Sequence, residues 1–240
     1  MAILKHENAA HVEWTDDGTP ISKAFGDIYF HRSQGVAESQ YVFLDGCLLP
    51  SRWANRDHFT IGECGFGFGL NFALIAALWR EWDRPLNLLY VAFELAPVAL
   101  CDIERVAERF AKSNDVFAPW IHRFQKMQWP GTADHFTAKW SLNNRALELH
   151  VIFGDANQTL SRWPGHADAW FFDGFSPAKN PALWTQHLLS LAYEKSNHGA
   201  CFATYTAAGW VRRNFIQAGF LVEKKPGFGA KRDMLVGRKL

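Results

Sequence analysis

The chain has 240 residues, of which 48% are hydrophobic and 20% charged, and a formal net charge of +1. That length fits one large domain, or one domain with a decorating segment, and the apolar content excludes a disordered chain. No apolar run is long enough to span a bilayer, no two of the four cysteines form a C-x-x-C pair, and the ten histidines show no metal-ligand spacing.

The charge is unevenly spread. From Ser196 to Leu240, eight bases (Arg212, Arg213, Lys224, Lys225, Lys231, Arg232, Arg238 and Lys239) stand against Glu223 and Asp233. This segment carries +6 and leaves −5 for the rest of the chain. Such asymmetry is expected of an anionic partner near the C-terminal end, and equally of a solvated basic face. Lys5, His6, Glu7 and Asn8 interrupt any apolar leader, so no signal peptide is expected. Isolated cysteines suit a reducing, cytoplasmic setting.

Taken in order, Asp17-Gly18 lies between Val12-Glu13-Trp14 and Pro20-Ile21, a hairpin signal. Phe25 to Phe30 and Tyr41 to Leu44 read as aromatic, β-prone runs, with Gly35 and Glu38 in the loop between them. Residues 1–57 therefore read as a β-rich N-terminal extension on a core of residues 58–240, together one domain.

Residues Phe59 to Phe72 carry the central signal. A short apolar run enters a turn holding Gly65, Gly67 and Gly69, and the apolar-periodic segment Leu70 to Trp82 leaves it. Strand, glycine turn and helix make the first half of a nucleotide-binding βαβ unit. A dinucleotide fingerprint counted from Gly65 needs glycine at position 70, where Leu70 stands. The pattern is instead Glu63-x-Gly65-x-Gly67-x-Gly69, with an acid at the strand end, a form familiar from proteins that bind S-adenosylmethionine (SAM). A glycine pattern alone is a weak signal, compatible with a loop that binds nothing.

Asn87 to Phe93 is the second strand and ends in Glu94, where a carboxylate can accept from both hydroxyls of a ribose; the alternative is a surface acid. Pro97 opens a helix running to about Asn114, and a second helical stretch covers Val116 to Met127. Leu147 to Phe153 is the third strand, ending in Gly154-Asp155-Ala156. In SAM-binding folds an acid at this place commonly meets the adenine amino group, with the next backbone N–H (here Ala156) on the ring; Asp155 can instead cap the helix Ala156–Trp163, and the two readings are compatible. Asp168 to Phe172 is the fourth strand and ends in Asp173-Gly174-Phe175-Ser176-Pro177. Open α/β sheets place ligands at this edge, so Asp173, followed by an aromatic, is the catalytic candidate. Helix Ala182–Lys195, strand Gly199–Tyr205 and helix Ala207–Ala218 continue the alternation. Phe220–Lys225 and Arg232–Arg238 are joined by Pro226-Gly227-Phe228-Gly229, too short for a crossover, so they must be antiparallel. The expected fold is Rossmann-like α/β: a mostly parallel seven-stranded sheet closed by an antiparallel C-terminal hairpin.

Several of these strings match a known family. Tyr41-Val42-Phe43-Leu44, Gly65-Phe66-Gly67, Gly69-Leu70-Asn71-Phe72, Asp168-Ala169-Trp170-Phe171, Asp173-Gly174-Phe175 and Gly227-Phe228-Gly229 with Lys231-Arg232 belong to it. So does Pro177-Ala178-Lys179-Asn180-Pro181, which generic methyltransferases lack. Over nearly its whole length the chain resembles the methyltransferase half of the bifunctional tRNA-modifying MnmC enzymes.

The resemblance implies a class I SAM-dependent methyltransferase that converts 5-aminomethyl-2-thiouridine at the tRNA wobble position to 5-methylaminomethyl-2-thiouridine. It implies the tRNA anticodon stem-loop as partner, no metal, no flavin in this chain, and a separate or missing flavin-dependent oxidase domain. For that reaction Asp173 is the residue expected to accept the amine proton, and Phe175 to stack on the flipped uracil or close the pocket. Glu94, Asp155 and Ala156 hold the nucleoside, and Glu63, Gly65, Phe66, Gly67, Gly69 and Asn71 form the loop at the methionine end. Independently of the resemblance, the +6 segment makes Lys231 and Arg232, with Lys179 just after the Asp173 loop, the residues expected to contact phosphates, the alternative being that Arg232 pairs with a carboxylate and holds the hairpin; Tyr29 and Glu38 stand next in line as base. Three departures are Phe68 where the family has Thr, Gly26 where an acid precedes Asp27, and Ala37 in place of one acid of a pair. Two rival readings are an NAD-dependent oxidoreductase, disfavoured by the missing glycine and the closing hairpin, and a non-catalytic RNA-binding module on a methyltransferase fold.

Overall fold

The structure, a computed structural model, describes residues 9–31, 33–110, 124–126, 129–130 and 134–240. Its centre is the strand β4 (His58–Cys64), buried over nearly its whole length. A strand covered on both faces has no use for a solvent-facing polar row, which is why Phe59 to Cys64 shows no regular polar–apolar alternation. Helix α2 (Leu70–Glu81) follows the glycine turn and leads to β5 (Asn87–Glu94). Helix α3 (Leu100–Phe110), β6 (His135–Leu142), β7 (Arg145–Phe153), helix α4 (Ala156–Arg162) and β8 (Ala167–Phe172) come next. Helix α5 (Gln186–Glu194), β9 (Ser196–Thr204), helix α6 (Gly209–Ala218), β10 (Leu221–Pro226) and β11 (Asp233–Arg238) complete the chain.

These strands form one eight-stranded sheet in the order β10-β11-β9-β8-β4-β5-β7-β6. Strands β7, β5, β4, β8 and β9 are mutually parallel. The last strand, β11, runs antiparallel between β9 and β10. From β4 the chain first adds strands on one side and then returns to the other, so the order reverses at β4 and β8. A crevice opens at the carboxyl ends of the strands at such a reversal.

The sheet has one strand more than the expected seven. The addition is β6, antiparallel to β7 at the edge, with Trp140 opposite Leu147. Its inward positions include Phe136 and Ala138, a short alternation centred on alanine that carries little periodic signal.

Two apolar layers cover the sheet. On one face Phe72, Ile75 and Trp79 of α2 pack with Ile61, Tyr90 and Phe171. On the other, Leu188 and Phe215 pack with Trp170 and Phe202, whose ring stacks on Phe215 at 4.1 Å. Trp170 and Phe171 face opposite layers because successive strand side chains alternate.

The N-terminal residues form a separate three-stranded sheet, β1 (Val12–Trp14), β2 (Pro20–Ser22) and β3 (Asp27–Ile28). The Asp17-Gly18 hairpin is present, with Val12 opposite Ser22. Of the run Phe25 to Phe30, only Asp27 and Ile28 pair as a strand. Tyr41 to Leu44 is helical, not extended. Helix α1 (Gly35–Ser39) continues into a π-helical turn, Gln40–Asp45, so Gly35 and Glu38 are helical too. A short, fully apolar run such as Val42-Phe43-Leu44 suits a buried helix as well as a buried strand, and its burial decides nothing at the sequence level.

Helix boundaries also moved, and the helix expected from Ala207 starts at Gly209. The stretch expected over Ala182–Lys195 is a 3-10 turn, Pro181–Trp184, followed by α5, whose first turn is capped by Thr185 Oγ1 accepting from the Leu188 N–H at 3.2 Å. The helix after Pro97 starts at Leu100. Its expected end near Asn114, and the stretch Val116 to Met127 apart from residues 124–126, lie outside the described residues.

Candidate active site

Three strand ends are laced together where the sheet order reverses. Gly65 N–H donates to Phe93 O at 2.9 Å, and Asp173 N–H donates to Cys64 O at 3.0 Å. Gly65 has φ +96°, and a Cβ there would lie 2.4 Å from the Asp173 carbonyl oxygen. Only glycine allows the loop after β4 to pass this close to the loop after β8. A cavity of about 550 Å³ opens above them. Its wall includes Gly65, Phe66, Gly67 and Asn71 from the glycine turn, Glu94 from β5, Asp155 and Ala156 after β7, and Asp173 and Phe175 after β8. That size lies within the range of small-molecule sites.

The electrostatics of the wall are acidic. Asp173 is half-buried, and burial pushes its carboxyl up to about 7, against the Asn71 donor that favours the ionised form; the Glu38 charge raises it further and Lys231 lowers it. Asn71 uses one amide nitrogen for two carboxyls, donating to Asp173 Oδ2 at 2.7 Å and to Glu63 Oε1 at 2.7 Å. Glu63 is fully enclosed behind Asn71, and burial, with Asp173 nearby, holds its carboxyl well above the usual range. Burial also raises Glu94, against the backbone N–H groups that favour its charge; Gly67 N–H reaches its Oε2 at 2.8 Å and Ala96 N–H its Oε1 at 3.0 Å.

The N-terminal residues close the cavity from above. Phe175 packs its ring against Phe25 at 4.9 Å and Tyr29 at 5.0 Å. Asp27 clamps the loop after β8: its Oδ2 accepts from the Ser176 N–H at 2.8 Å and its Oδ1 pairs with Lys179 at 3.2 Å. The Lys179 ammonium also donates to the Gly26 carbonyl, so the departure at Gly26 sits inside this clamp. Phe68 is buried away from the cavity, edge-on to Trp14, Tyr29 and Phe30, and anchors the small sheet. Ala37 lies exposed in α1 beside Glu38, which does face the cavity.

Not every residue proposed from the sequence reaches the cavity. Glu63 lies beneath it, bonded to Asn71. Gly69 is the left-handed residue ahead of α2. Asp155 caps α4, its Oδ1 accepting from the Asn157 N–H at 2.9 Å, and still faces the cavity. Lys179 is engaged by Asp27 and Arg232 is exposed, whereas Lys231 does line the wall. Lys231 pairs with Glu38 and lies 4.3 Å over the Tyr205 ring, whose hydroxyl donates to Gly174 O at 2.7 Å. The clamp role of Asp27 and the cavity position of Tyr205 had no sequence signal, because each depends on segments far apart in the chain. Of the eight C-terminal bases, Lys224 is also paired, with Asp233 at 3.1 Å, and Lys239 donates to Tyr193 O and Ser196 O at 2.9 Å each.

The wall suits SAM, whose ammonium and sulfonium are both cationic. Five carboxyls, Asp27, Glu38, Glu94, Asp155 and Asp173, line the cavity. Asn71 Oδ1 is a buried acceptor at its wall without a partner among the described residues. Among those residues no cluster has metal-ligand character, and no helix is long and apolar enough to cross a membrane.

The tRNA 5-methylaminomethyl-2-thiouridine biosynthesis bifunctional protein MnmC of Caulobacter sp. (strain K31) is 40% identical over 97% of this chain, which covers 39% of that protein. Its namesake in Vibrio cholerae is 37% identical over 99% of this chain, which covers 36% of it. The chain thus spans less than two-fifths of the length of these relatives. The crystal structure of MNMC2 from Aquifex aeolicus superposes with a TM-score of 0.70 at 27% identity, covering 96% of this chain and 70% of that one. The profile of a family described as S-adenosyl-L-methionine-dependent methyltransferase matches residues 117–240, more than half of the chain. The chain belongs to the S-adenosyl-L-methionine-dependent methyltransferase family.

Proposed function

We propose that this methyltransferase acts on the wobble uridine of tRNA, converting 5-aminomethyl-2-thiouridine to 5-methylaminomethyl-2-thiouridine. The observation that carries this reading is Asp173: a carboxyl raised to about 7, at the mouth of the glycine turn, in a cavity with an aromatic beside it. An acceptor poised near neutral pH is what N-methylation of an alkyl amine needs, because such an amine, at about 10 to judge by lysine, is almost wholly protonated there. The MnmC relatives carry 5-methylaminomethyl-2-thiouridine biosynthesis in their name, which supports the same substrate.

When bound, SAM supplies a methyl group on a sulfonium. The residues named for it here are Glu94 at the ribose, Asp155 with Ala156 at the adenine, and Gly65, Phe66, Gly67 and Asn71 at the methionine end. Glu63 serves from behind, by orienting Asn71. Asp173 takes a proton from the substrate ammonium and holds the freed nitrogen by a hydrogen bond. Phe175, braced by Phe25 and Tyr29, presents a ring face to the uracil of a nucleotide drawn out of the anticodon loop. The C-terminal +6 segment offers the phosphate track, with Arg232 its exposed member nearest the cavity residue Lys231.

In this reading the cytoplasm is the compartment, the anticodon stem-loop is the partner, and the amine is delivered by a separate flavin-dependent oxidative activity. Residues 1–57 and 58–240 act as one domain, since the cavity draws its wall from both. The test is incubation with SAM and tRNA bearing 5-aminomethyl-2-thiouridine, followed by nucleoside mass spectrometry. A gain of one methyl on that nucleoside is expected; SAM binding without it overturns the substrate assignment.

A further inference from the structure

The cavity already contains an alkylammonium ion. The Lys231 ammonium reaches in from the loop between β10 and β11, pairs with Glu38 of α1, and sits 4.3 Å over the Tyr205 ring. All three residues line the same wall as Asp173. A carboxylate and an aromatic face on one cation make a receptor for a primary ammonium, since both attract positive charge without needing a particular substituent behind it. Tyr205 is held in place for this by its hydroxyl's bond to Gly174 O, one residue from Asp173. Glu38 is only 18% exposed on its side chain, against 44% for Lys231, so the carboxylate belongs to the cavity and the lysine is the member free to leave.

We infer that Glu38 and Tyr205 form the amine-recognition subsite of the enzyme, and that Lys231 occupies it as an internal stand-in until the substrate's aminomethyl group displaces it. This rests on the proposed amine substrate and names the residues that select it. The substrate enters as R–CH2–NH3+, the form that predominates near neutral pH. Its charge exchanges with that of Lys231 at Glu38, so the cavity's net charge is kept while the group to be methylated is drawn beside Asp173. Asp173 then accepts one proton from the ammonium. The neutral nitrogen's lone pair forms the N–C bond to the methyl, the C–S bond breaks, and its electron pair stays on sulfur. The product leaves as R–CH2–NH2+–CH3, and the proton on Asp173 passes to water, so one proton is released per turnover. Lys231, freed from Glu38, is left on the basic face that meets the RNA backbone.

The position of Glu38 makes it a specificity residue rather than the base. It holds the nitrogen in its charged form, whereas Asp173, raised toward neutrality, removes the proton. Two carboxyls with different surroundings can divide these tasks.

The test compares the affinities of the full chain, saturated with S-adenosylhomocysteine, for two tRNAs that differ only in the wobble base: 5-aminomethyl-2-thiouridine and 2-thiouridine. Wild type should prefer the aminomethyl tRNA by tenfold or more, about the scale of one charged hydrogen bond. Glu38→Gln should lose that preference while binding the 2-thiouridine tRNA as wild type does. Lys231→Met should keep or increase the preference, because the internal competitor is gone. A Glu38→Gln protein that retains the wild-type ratio overturns the inference, and so does a Lys231→Met protein whose ratio collapses in step with Glu38→Gln, since the pair would then be only a structural tie. Melting temperatures identify a folding defect, and a destabilised Glu38→Gln is replaced by Glu38→Ala, judged by the same ratio. If wild type does not methylate the aminomethyl tRNA in the parallel assay, the substrate assignment fails instead. If it methylates normally while Glu38→Gln keeps its preference, only the subsite fails.

Discussion

Asn71 Nδ2 donates to Asp173 Oδ2 at 2.7 Å while also donating to the enclosed Glu63. The amide is a spacer that keeps two carboxyls from meeting and gives each a donor. Its bond to Asp173 favours the ionised form and so opposes the upward push of burial. Removing the donor in Asn71→Ala should therefore raise the Asp173 pKa above about 7. The pH profile of kcat/KM should shift its rising limb to higher pH; an unmoved limb would mean that Asn71 does not set the acidity of Asp173.

For the unaltered protein, the sign of the pH dependence follows from the same group. In the proposed role Asp173 must be ionised to take a proton, so kcat/KM is expected to rise with pH through about 7 and level off above it. Asp173→Asn keeps the shape and removes the acceptor. Turnover should fall by about 10²-fold or more, the usual scale of general-base catalysis, and the rising limb should disappear. SAM affinity, measured by calorimetry, should change far less. Near-normal turnover in this variant would transfer the proton-accepting role elsewhere.

Gly67 tests the cofactor assignment. It has φ +51°, and a Cβ there would lie 3.2 Å from the Tyr29 ring, at the same loop whose N–H fixes Glu94. Gly67→Ala should cost roughly 1–2 kcal/mol in backbone strain and displace the N–H that orients Glu94. A clear loss of SAM affinity in a protein that still melts cooperatively is expected. Unchanged affinity would detach this loop from the cofactor.

Asp27 is the clamp on the loop after β8, and its partner Ser176 lies 149 residues away in sequence. Burial would raise its carboxyl, but the bonds from Ser176 and the Lys179 charge outweigh that and hold it below the ordinary value. Asp27→Ala should leave SAM binding nearly intact and reduce kcat, because the loop that carries Asp173 and Phe175 loses its tie. Hydrogen exchange at the Ser176 amide should speed up in parallel. A variant with full kcat and unprotected Ser176 would show that the clamp is not needed for turnover.

Arg232 is exposed at the base of the β10–β11 loop. Arg232→Ala should lower tRNA affinity and reduce the slope of log affinity against log salt by about one, the signature of one lost phosphate contact. SAM affinity should not move. An unchanged slope would take Arg232 off the RNA track.

What the amino-acid sequence determined by itself was whatever depends on neighbouring residues. The spacing of Gly65, Gly67 and Gly69, the acids at the ends of β4, β5 and β8, and the six-residue link before the final strand all follow from local backbone geometry. They were enough for the parallel sheet, its antiparallel closure and the position of Asp173 at the sheet's carboxyl edge. Only the tertiary structure decided which distant side chains meet there. Tyr41 to Leu44 became helical because a short apolar run is decided by what packs on it. β6 was missed because Phe136 and Ala138 alone make too faint an alternation. Lys231 and Glu38 pair across 193 residues, and Asp27 reaches Ser176 across 149. Periodicity reports how a segment faces its own surroundings and carries no term for which remote segment arrives there. The loop that holds Asp173 was therefore legible in the sequence, and the extension that clamps and roofs it was not.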